Sequence, residues 1–344
     1  MRAAVILGTN LVVGAAALGW VLYHHGAPAL ALLASRPEPA LLALFAVAVA
    51  VCVVAYAYRW RILLAGLGCA PGLAPLTAYR AAGQSLSSII PSAKLGGEPL
   101  RVYLLVRDGT AAGSALASVV VDRTLEMGSA AAFACLYAVL LLRRGVPELQ
   151  GALVTVSLAA TALVLGVGLT VRRLRRGAGL VTAVARVTGL DRLSFVQGRM
   201  HVLAAAEADV ARLLADPRRL VRAFGAGLAA NLVVLVEYHL LLAAFDLPAG
   251  PLAVVAAIFA TGAAHSLPVP AAVGALEGAQ MWIFQILGHP PEVGLAVGLA
   301  VRLRELVWIL PGLFYLLARG ITPLAPQADA AGRRPQTAAA RKPA

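Results

Sequence analysis

Charge is what this sequence has least of. Only 13% of its 344 residues are Asp, Glu, Lys or Arg, while 60% are hydrophobic. A soluble domain carries about twice that share of charge, so a soluble globular chain is excluded, and so much apolar content excludes disorder outside the tail. Acid is scarcer than base, 16 Asp and Glu against 29 Lys and Arg for a net +13. The basic residues lie between long apolar runs and not on one folded face, which argues against nucleic acid as a partner. Cysteine is rare and odd in number. Cys52, Cys69 and Cys135 all sit in apolar surroundings, which argues against a disulfide framework and a zinc site. No His/Cys/Asp/Glu spacing resembles a metal site, and P-loop, dinucleotide and G-x-S-x-G motifs are missing, so no cofactor is expected.

What is present is a set of runs long enough to cross a bilayer, which takes about 20 apolar residues. They are Ala3–Tyr23, Ala40–Tyr58, Ala111–Leu142, Ala152–Val171, Leu220–Phe245 and Val293–Ala318. The first competes with a signal-peptide reading, but its apolar stretch exceeds a signal h-region of about 7–15 residues. Leu76–Arg107 and Leu252–Leu287 are also apolar, yet Pro91, Gly96, Gly97 and Pro99 interrupt one, and Pro268, Pro270 and Gly274 the other. Broken backbone at membrane depth survives only inside protein or along a wet cavity. Both regions therefore read as re-entrant helical hairpins, and the fold class as an all-α polytopic transmembrane bundle.

With the N-terminus inside, 23 Lys and Arg face the cytoplasm and 3 face out, the remainder lying within spans. The positive-inside rule then places both termini in the cytoplasm. The cytoplasmic insert 172–218 has apolar residues Leu180, Val184, Val187, Val196, Met200, Leu203, Val210 and Leu214 opposite an Arg-rich face. That pattern predicts two amphipathic helices on the anionic inner leaflet, split at Gly189 with Asp191 as a cap. Asp216-Pro217 predicts the start of the next span, and residues 321–344 a disordered cytoplasmic tail after the membrane domain 1–320.

Offsetting the chain by 179 residues superposes the two broken regions. Gly83 falls on Gly262, Ser87 on Ser266, Pro91 on Pro270, Glu98 on Glu277, Arg123 on Arg302 and Glu126 on Glu305, with 12 identities in 49 pairs. Coincidence in an Ala/Leu/Val-rich chain is the competing explanation. The spans before the two hairpins run in opposite directions, so the halves read as an inverted repeat, an arrangement found in secondary transporters with a midplane substrate site.

Three polar groups of residues stand out. Lys94, Glu98 and Arg101 surround the first break. Glu98-Pro99 suits an N-cap and N1, a half-helix N-terminus ready for a phosphate or other anionic headgroup; an ordinary inside-positive loop is the alternative. Asp122, Arg123 and Glu126 lie about 16–22 Å along the third span at 1.5 Å per residue, and Arg302, Arg304 and Glu305 hold the matching place in the last span. Arg123/Glu126 and Arg302/Glu305 are i,i+3 pairs, leaving Asp122 and Arg304 over, with formal charges of −1 and +1 for the two clusters. Such groups at depth mark function or a structural lock between halves. His265 and Glu277 flank the second break and can titrate or meet a headgroup.

Tyr58-Arg59-Trp60, the run from Ser88 to Glu98, the run from Ala117 to Glu126, Pro270 through Glu277 and Arg302-Leu303-Arg304-Glu305 together resemble the flippase-like superfamily. It is also called the lysylphosphatidylglycerol synthase transmembrane-domain family, and the likeness is strongest to its hopanoid-associated branch. The resemblance covers about residues 1–320. It implies a bacterial inner-membrane protein that handles lipids, with the polar residues above as headgroup contacts. Bifunctional members add a soluble aminoacyl-transferase domain. This sequence continues about 24 residues past 320, so no enzymatic activity is expected.

Three functions compete on these observations. The first is a lipid transporter holding an anionic phospholipid, hopanoid or other polar lipid between inverted halves. The second is a non-transporting membrane scaffold that recruits a lipid-modifying or envelope enzyme through its basic cytoplasmic insert, alone or as a homo-oligomer. The third is an integral transferase with Glu98 or Asp122 as base.

Overall fold

The computed structural model describes residues 2–35, 37–89, 96–143, 150–175, 200–267 and 269–320. Among the described residues the protein is all-helical, without a strand. In chain order the helices are α1 Arg2–Ser35, α2 Pro39–Gly66, α3 Leu73–Ile89, α4 Glu98–Arg107, α5 Ala112–Leu142, α6 Gln150–Arg175, α7 Met200–Leu214, α8 Pro217–Ala244, α9 Pro251–Ser266, α10 Ala275–Ile286 and α11 Pro291–Ala318. A 3₁₀ turn at Pro270–Ala272 separates α9 from α10. Lys94, Gly189, Asp191, the first half of the amphipathic insert and the tail lie outside the described residues.

The six long apolar runs all become helices. Among the described residues, α2, α5 and α8 are long and apolar enough to cross a membrane. Their surfaces are inverted relative to a soluble protein: Val47 and Val51 on α2 and Leu232 and Val236 on α8 stay at least half exposed, as a lipid-facing wall requires. The start of α8 follows the expected chemistry, Asp216 accepting the Arg219 N–H ahead of Pro217, which satisfies one orphan donor of the first turn.

α2 and α8 pair along their lengths as antiparallel neighbours. At one end the Glu38 N–H donates to Ala244 O at 2.8 Å; at the other, Gly66 lies against the Arg219 side chain. Adding 179 to the bounds of α2–α5 reproduces those of α8–α11 to within three residues, and the end of α1 at Ser35 falls on the end of α7 at Leu214, whereas α6 has no counterpart among the described residues.

Small residues set the closest approaches. A Cβ on Gly312 of α11 would sit 2.2 Å from Ala81 O of α3, and the Ser85 hydroxyl bridges the same helices by donating to Ile309 O at 2.6 Å. α1 covers the turn between α9 and α10: a Cβ on Gly14 would lie 2.5 Å from Val273 O. Further along α1, His25 meets Glu292 of α11 at 3.0 Å.

Two local expectations are corrected. Gly97, not Glu98, is the N-cap of α4, and Glu98 is its first-turn acid; with Ser87 Oγ accepting the Gly97 N–H at 2.8 Å, no side chain larger than hydrogen fits between α3 and α4 there. α7, the described half of the insert, does not lie free on a leaflet. Its Leu213 and Leu214 are buried, Ala205 closes on Gly113 of α5, and Asp209 accepts the Ser114 hydroxyl at 2.6 Å. Of the apolar stripe, Leu214 is buried and Met200, Leu203 and Val210 are half-buried, and the Gly113 notch lets α7 approach α5 closely.

Candidate functional site

Four arginines from four helices converge on the polar turn of α5. Asp122 Oδ1 accepts Arg59 Nε of α2 at 2.7 Å, and Oδ2 accepts Arg80 of α3 at 2.9 Å and Arg101 of α4 at 2.7 Å. Glu126, one turn on, binds Arg59 at 3.0 Å and Arg80, while Arg123 closes the i,i+3 pair at 2.9 Å. Glu98 holds Arg101 at 2.9 Å and lies 3.9 Å from Arg123. Aromatic faces stack on the guanidiniums: Trp60 lies 4.0 Å from Arg101, and Tyr56 lies 4.8 Å from Arg80 and 5.0 Å from Arg59. Buried charges require this density of partners, since each one left unpaired costs several kcal/mol.

The second half is built around Arg302. Its guanidinium binds Glu277 at 2.7 Å and Glu305 at 2.8 Å, and also donates to the carbonyls of Ala271 at 2.6 Å and Ala272 at 3.0 Å. Those two alanines have φ of 49° and 48°, a conformation that costs L-residues energy. Arg302 thus satisfies carbonyls that the broken helix leaves without partners. Glu277 also accepts the Gly274 N–H at 3.0 Å, capping α10. Beside this group, Arg304 pairs with Glu237 of α8 at 2.7 Å, and His265 of α9 contacts Glu305 at 2.7 Å.

Both clusters open onto one cavity of about 170 Å³. Arg80, Arg123 and Glu126 from the first cluster and His265, Arg304 and Glu305 from the second line it, together with Tyr56 and Trp308. At about 30 Å³ per water, the space holds five or six waters or a compact polar headgroup. Two largely apolar grooves adjoin it. One, of about 500 Å³ between α4 and α5, includes Glu98 and shares Arg123 with the cavity. The other, of about 390 Å³ among α5, α8 and α9, shares Val234.

Of the residues singled out from sequence, Arg123, Glu126, His265, Arg304 and Glu305 line the cavity. Glu98, Arg101, Asp122, Glu277 and Arg302 stand behind it and hold the lining groups or the broken backbone, and Lys94 lies outside the described residues. The expectation of leftover charges is corrected: Asp122 has three arginines and Arg304 has Glu237. The signs of the clusters reverse as a result. Arg59, Arg80, Arg101 and Arg123 against Glu98, Asp122 and Glu126 leave +1; Arg302 and Arg304 against Glu237, Glu277 and Glu305 leave −1.

Arg59, Arg80 and Glu237 were missing from the sequence list. Arg59 and Arg80 look like inside-positive residues because they flank the turn between α2 and α3, where the positive-inside pattern accounts for arginines without further explanation. Glu237 carried a usable signal, being the only acid within Leu220–Phe245, since an ionisable group inside a span is functional or paired by default.

Comparison with curated proteins returned no match. The family described as Lysylphosphatidylglycerol synthase TM region matches residues 5–312. The match runs from α1 through both charge clusters into the last two turns of α11, so the chain belongs to the lysylphosphatidylglycerol synthase TM-region family of lipid-handling membrane proteins.

Proposed function

We propose that this protein is a flippase-like lipid transporter of the bacterial inner membrane, with both termini cytoplasmic. In this reading the polar headgroup of an anionic phospholipid, hopanoid-class or other polar lipid crosses through the cavity between two inverted halves. Its chains remain in the flanking grooves, and no bond is made or broken. The observation that carries the proposal is the cavity itself: charged groups from both halves line it, and it shares Arg123 with one apolar groove and Val234 with another. An amphipath needs that juxtaposition. A scaffold has no use for a wet charged cavity at membrane depth, where each ionised group is expensive.

The inverted repeat is supported by the common offset of α2–α5 and α8–α11 together with the antiparallel pairing of their first members, α2 and α8. The re-entrant reading of α9 and α10 is supported by their lengths. Sixteen and twelve residues rise only about 24 and 18 Å, short of a hydrocarbon core of about 30 Å.

The test is translocation of fluorescent phosphatidylglycerol in proteoliposomes. Movement above the rate of protein-free vesicles, reduced by Arg304→Gln, is expected. Background rates with correctly folded protein would favour the scaffold, alone or as a homo-oligomer, over transport.

A further inference from the structure

His265 meets an acceptor at each ring nitrogen. Nδ1 lies 2.8 Å from the backbone carbonyl oxygen of Thr261, and Nε2 lies 2.7 Å from Oε1 of Glu305. A neutral imidazole has one N–H and one lone pair. A carbonyl can only accept, so the hydrogen of a neutral ring belongs on Nδ1. Nε2 would then direct its lone pair at a carboxylate oxygen, an arrangement that repels. One further proton between Nε2 and Oε1 removes the conflict.

We propose that His265 and Glu305 form a proton-binding site on the cavity wall, holding one shared proton whose binding is linked to occupation of the cavity by an anion. The proton is held either as imidazolium beside carboxylate or as neutral imidazole accepting from the carboxylic acid. It comes from water in the cavity and returns there, since both side chains keep some exposure, 14% and 19%.

The charges around the pair give the linkage its sign. On α11, Arg302 binds Glu305, and Arg304 lines the same cavity. From α5, Arg123 and Glu126 face the same space, as do Arg80 of α3 and the Tyr56 phenol of α2. Behind them are Glu277 of α10, and Glu237 and Tyr238 of α8, both against Arg304. The six arginines and six carboxylates of the two clusters cancel formally, so the proton on the pair leaves the described network at +1. A monoanionic phosphate headgroup restores neutrality. Two ligands that relieve each other's charge bind with positive, reciprocal coupling. Loss of the proton would set Nε2 against Glu305 and loosen α9 from α11. Arg302 carries that change to the Ala271 and Ala272 carbonyls, because one guanidinium holds both them and Glu305.

The inference rests on the headgroup reading only for the identity of the anion, and two measurements keep them apart. The first uses full-length protein with ¹⁵N-labelled histidine in phosphatidylcholine nanodiscs, with His265→Gln to assign the signal and infrared spectra of wild type and Glu305→Gln beside it. Near neutral pH the expected result is either a doubly protonated His265 ring or a carboxylic-acid band that Glu305→Gln removes. A neutral ring with a bare nitrogen and no such band, from about pH 5 to 8, would overturn the proton site whatever the protein transports. The second is calorimetry with dihexanoyl-phosphatidylglycerol in two buffers of different ionisation enthalpy. At a pH where the spectra show the pair about half protonated, wild type should take up protons on binding, and across that titration it should lose about tenfold in affinity, within the usual range of coupling. His265→Gln should take up none and be flat with pH. Proton-independent binding by wild type would overturn the linkage. No binding at all would count against the headgroup reading, and the spectra would still decide the proton site.

Discussion

Arg59 of α2 and Asp122 of α5 meet at 2.7 Å with neither side chain exposed, and Asp122 also holds Arg80 and Arg101. One carboxylate therefore ties α2, α3 and α4 to α5. Asp122→Leu leaves three buried guanidiniums short of a counter-charge, and the expected cost is at least the roughly 3–5 kcal/mol of a broken buried pair. Arg59→Met added to Asp122→Leu should not restore stability, since Arg80 and Arg101 keep Glu126 and Glu98 but each still lacks its buried Asp122 contact. Thermal unfolding in detergent measures both; a double mutant as stable as wild type would show that Asp122 serves Arg59 alone.

Close helix approach gives a second prediction. Gly312→Ala puts a methyl 2.2 Å from Ala81 O and 2.3 Å from the Ser85 hydroxyl. Backbone cannot yield as a flexible side chain does, so α3 and α11 must move apart, at about 1–3 kcal/mol for an overpacked contact. Gly278→Ala, with nothing within 4 Å of the added methyl, is the control and should unfold as wild type does.

Much of this architecture was legible in the sequence. The apolar runs at Ala40–Tyr58, Ala111–Leu142, Leu220–Phe245 and Val293–Ala318 lie over α2, α5, α8 and α11, because burial in lipid leaves little besides apolar composition to decide a span. The break near Pro270 and the Asp216 cap were legible for equally local reasons. The partners of the charges were not. An i,i+3 rule finds Arg123–Glu126 and Arg302–Glu305, but it is blind to Arg59–Asp122, 63 residues apart, and to Arg304–Glu237, 67 apart. Those contacts exist only once α2 lies against α5 and α8 against α11, a consequence of packing that no window of sequence contains.

Orientation yields a third prediction. Single cysteines in a cysteine-free background at Gly109, after α4, or at Arg212 on α7 should react with impermeant maleimide only from the cytoplasmic side, and a cysteine at Gly288 only from the periplasmic side. The native Cys69 is a poor reporter: it is half-buried, and burial followed by the Asp209 carboxylate pushes its thiol up, away from the reactive thiolate. Periplasmic labelling at Arg212 would reverse the proposed orientation.

Arg302 offers a fourth test, of fork geometry against charge alone. Its guanidinium spans two carboxylates and two carbonyls, whereas a lysine ammonium is a point charge with three donors. Arg302→Lys should keep the protein folded, since the charge balance is unchanged, yet lower transport of phosphatidylglycerol by loosening the turn at Pro270–Ala272. Wild-type transport by Arg302→Lys would mean that charge suffices there and the carbonyl contacts are incidental.

The pair Glu237–Arg304 separates structure from function most directly, because it is nearly closed: Glu237 is fully buried and Arg304 is its ion-pair partner. Glu237→Leu alone strands a cation and Arg304→Met alone strands an anion, each at about 3–5 kcal/mol. Replacing both by apolar side chains removes the whole pair, a change that is often neutral or stabilising, so the double mutant should unfold near the wild-type temperature. Transport should not return with stability. Arg304 lines the cavity together with Arg80 and Arg123, and its loss subtracts one of the three arginines that face a headgroup. The deciding comparison is thermal stability beside phosphatidylglycerol translocation for both single mutants and the double. A stable double mutant with full transport would reduce the pair to a lock between α8 and α11, and with it the role of Arg304 in holding the lipid.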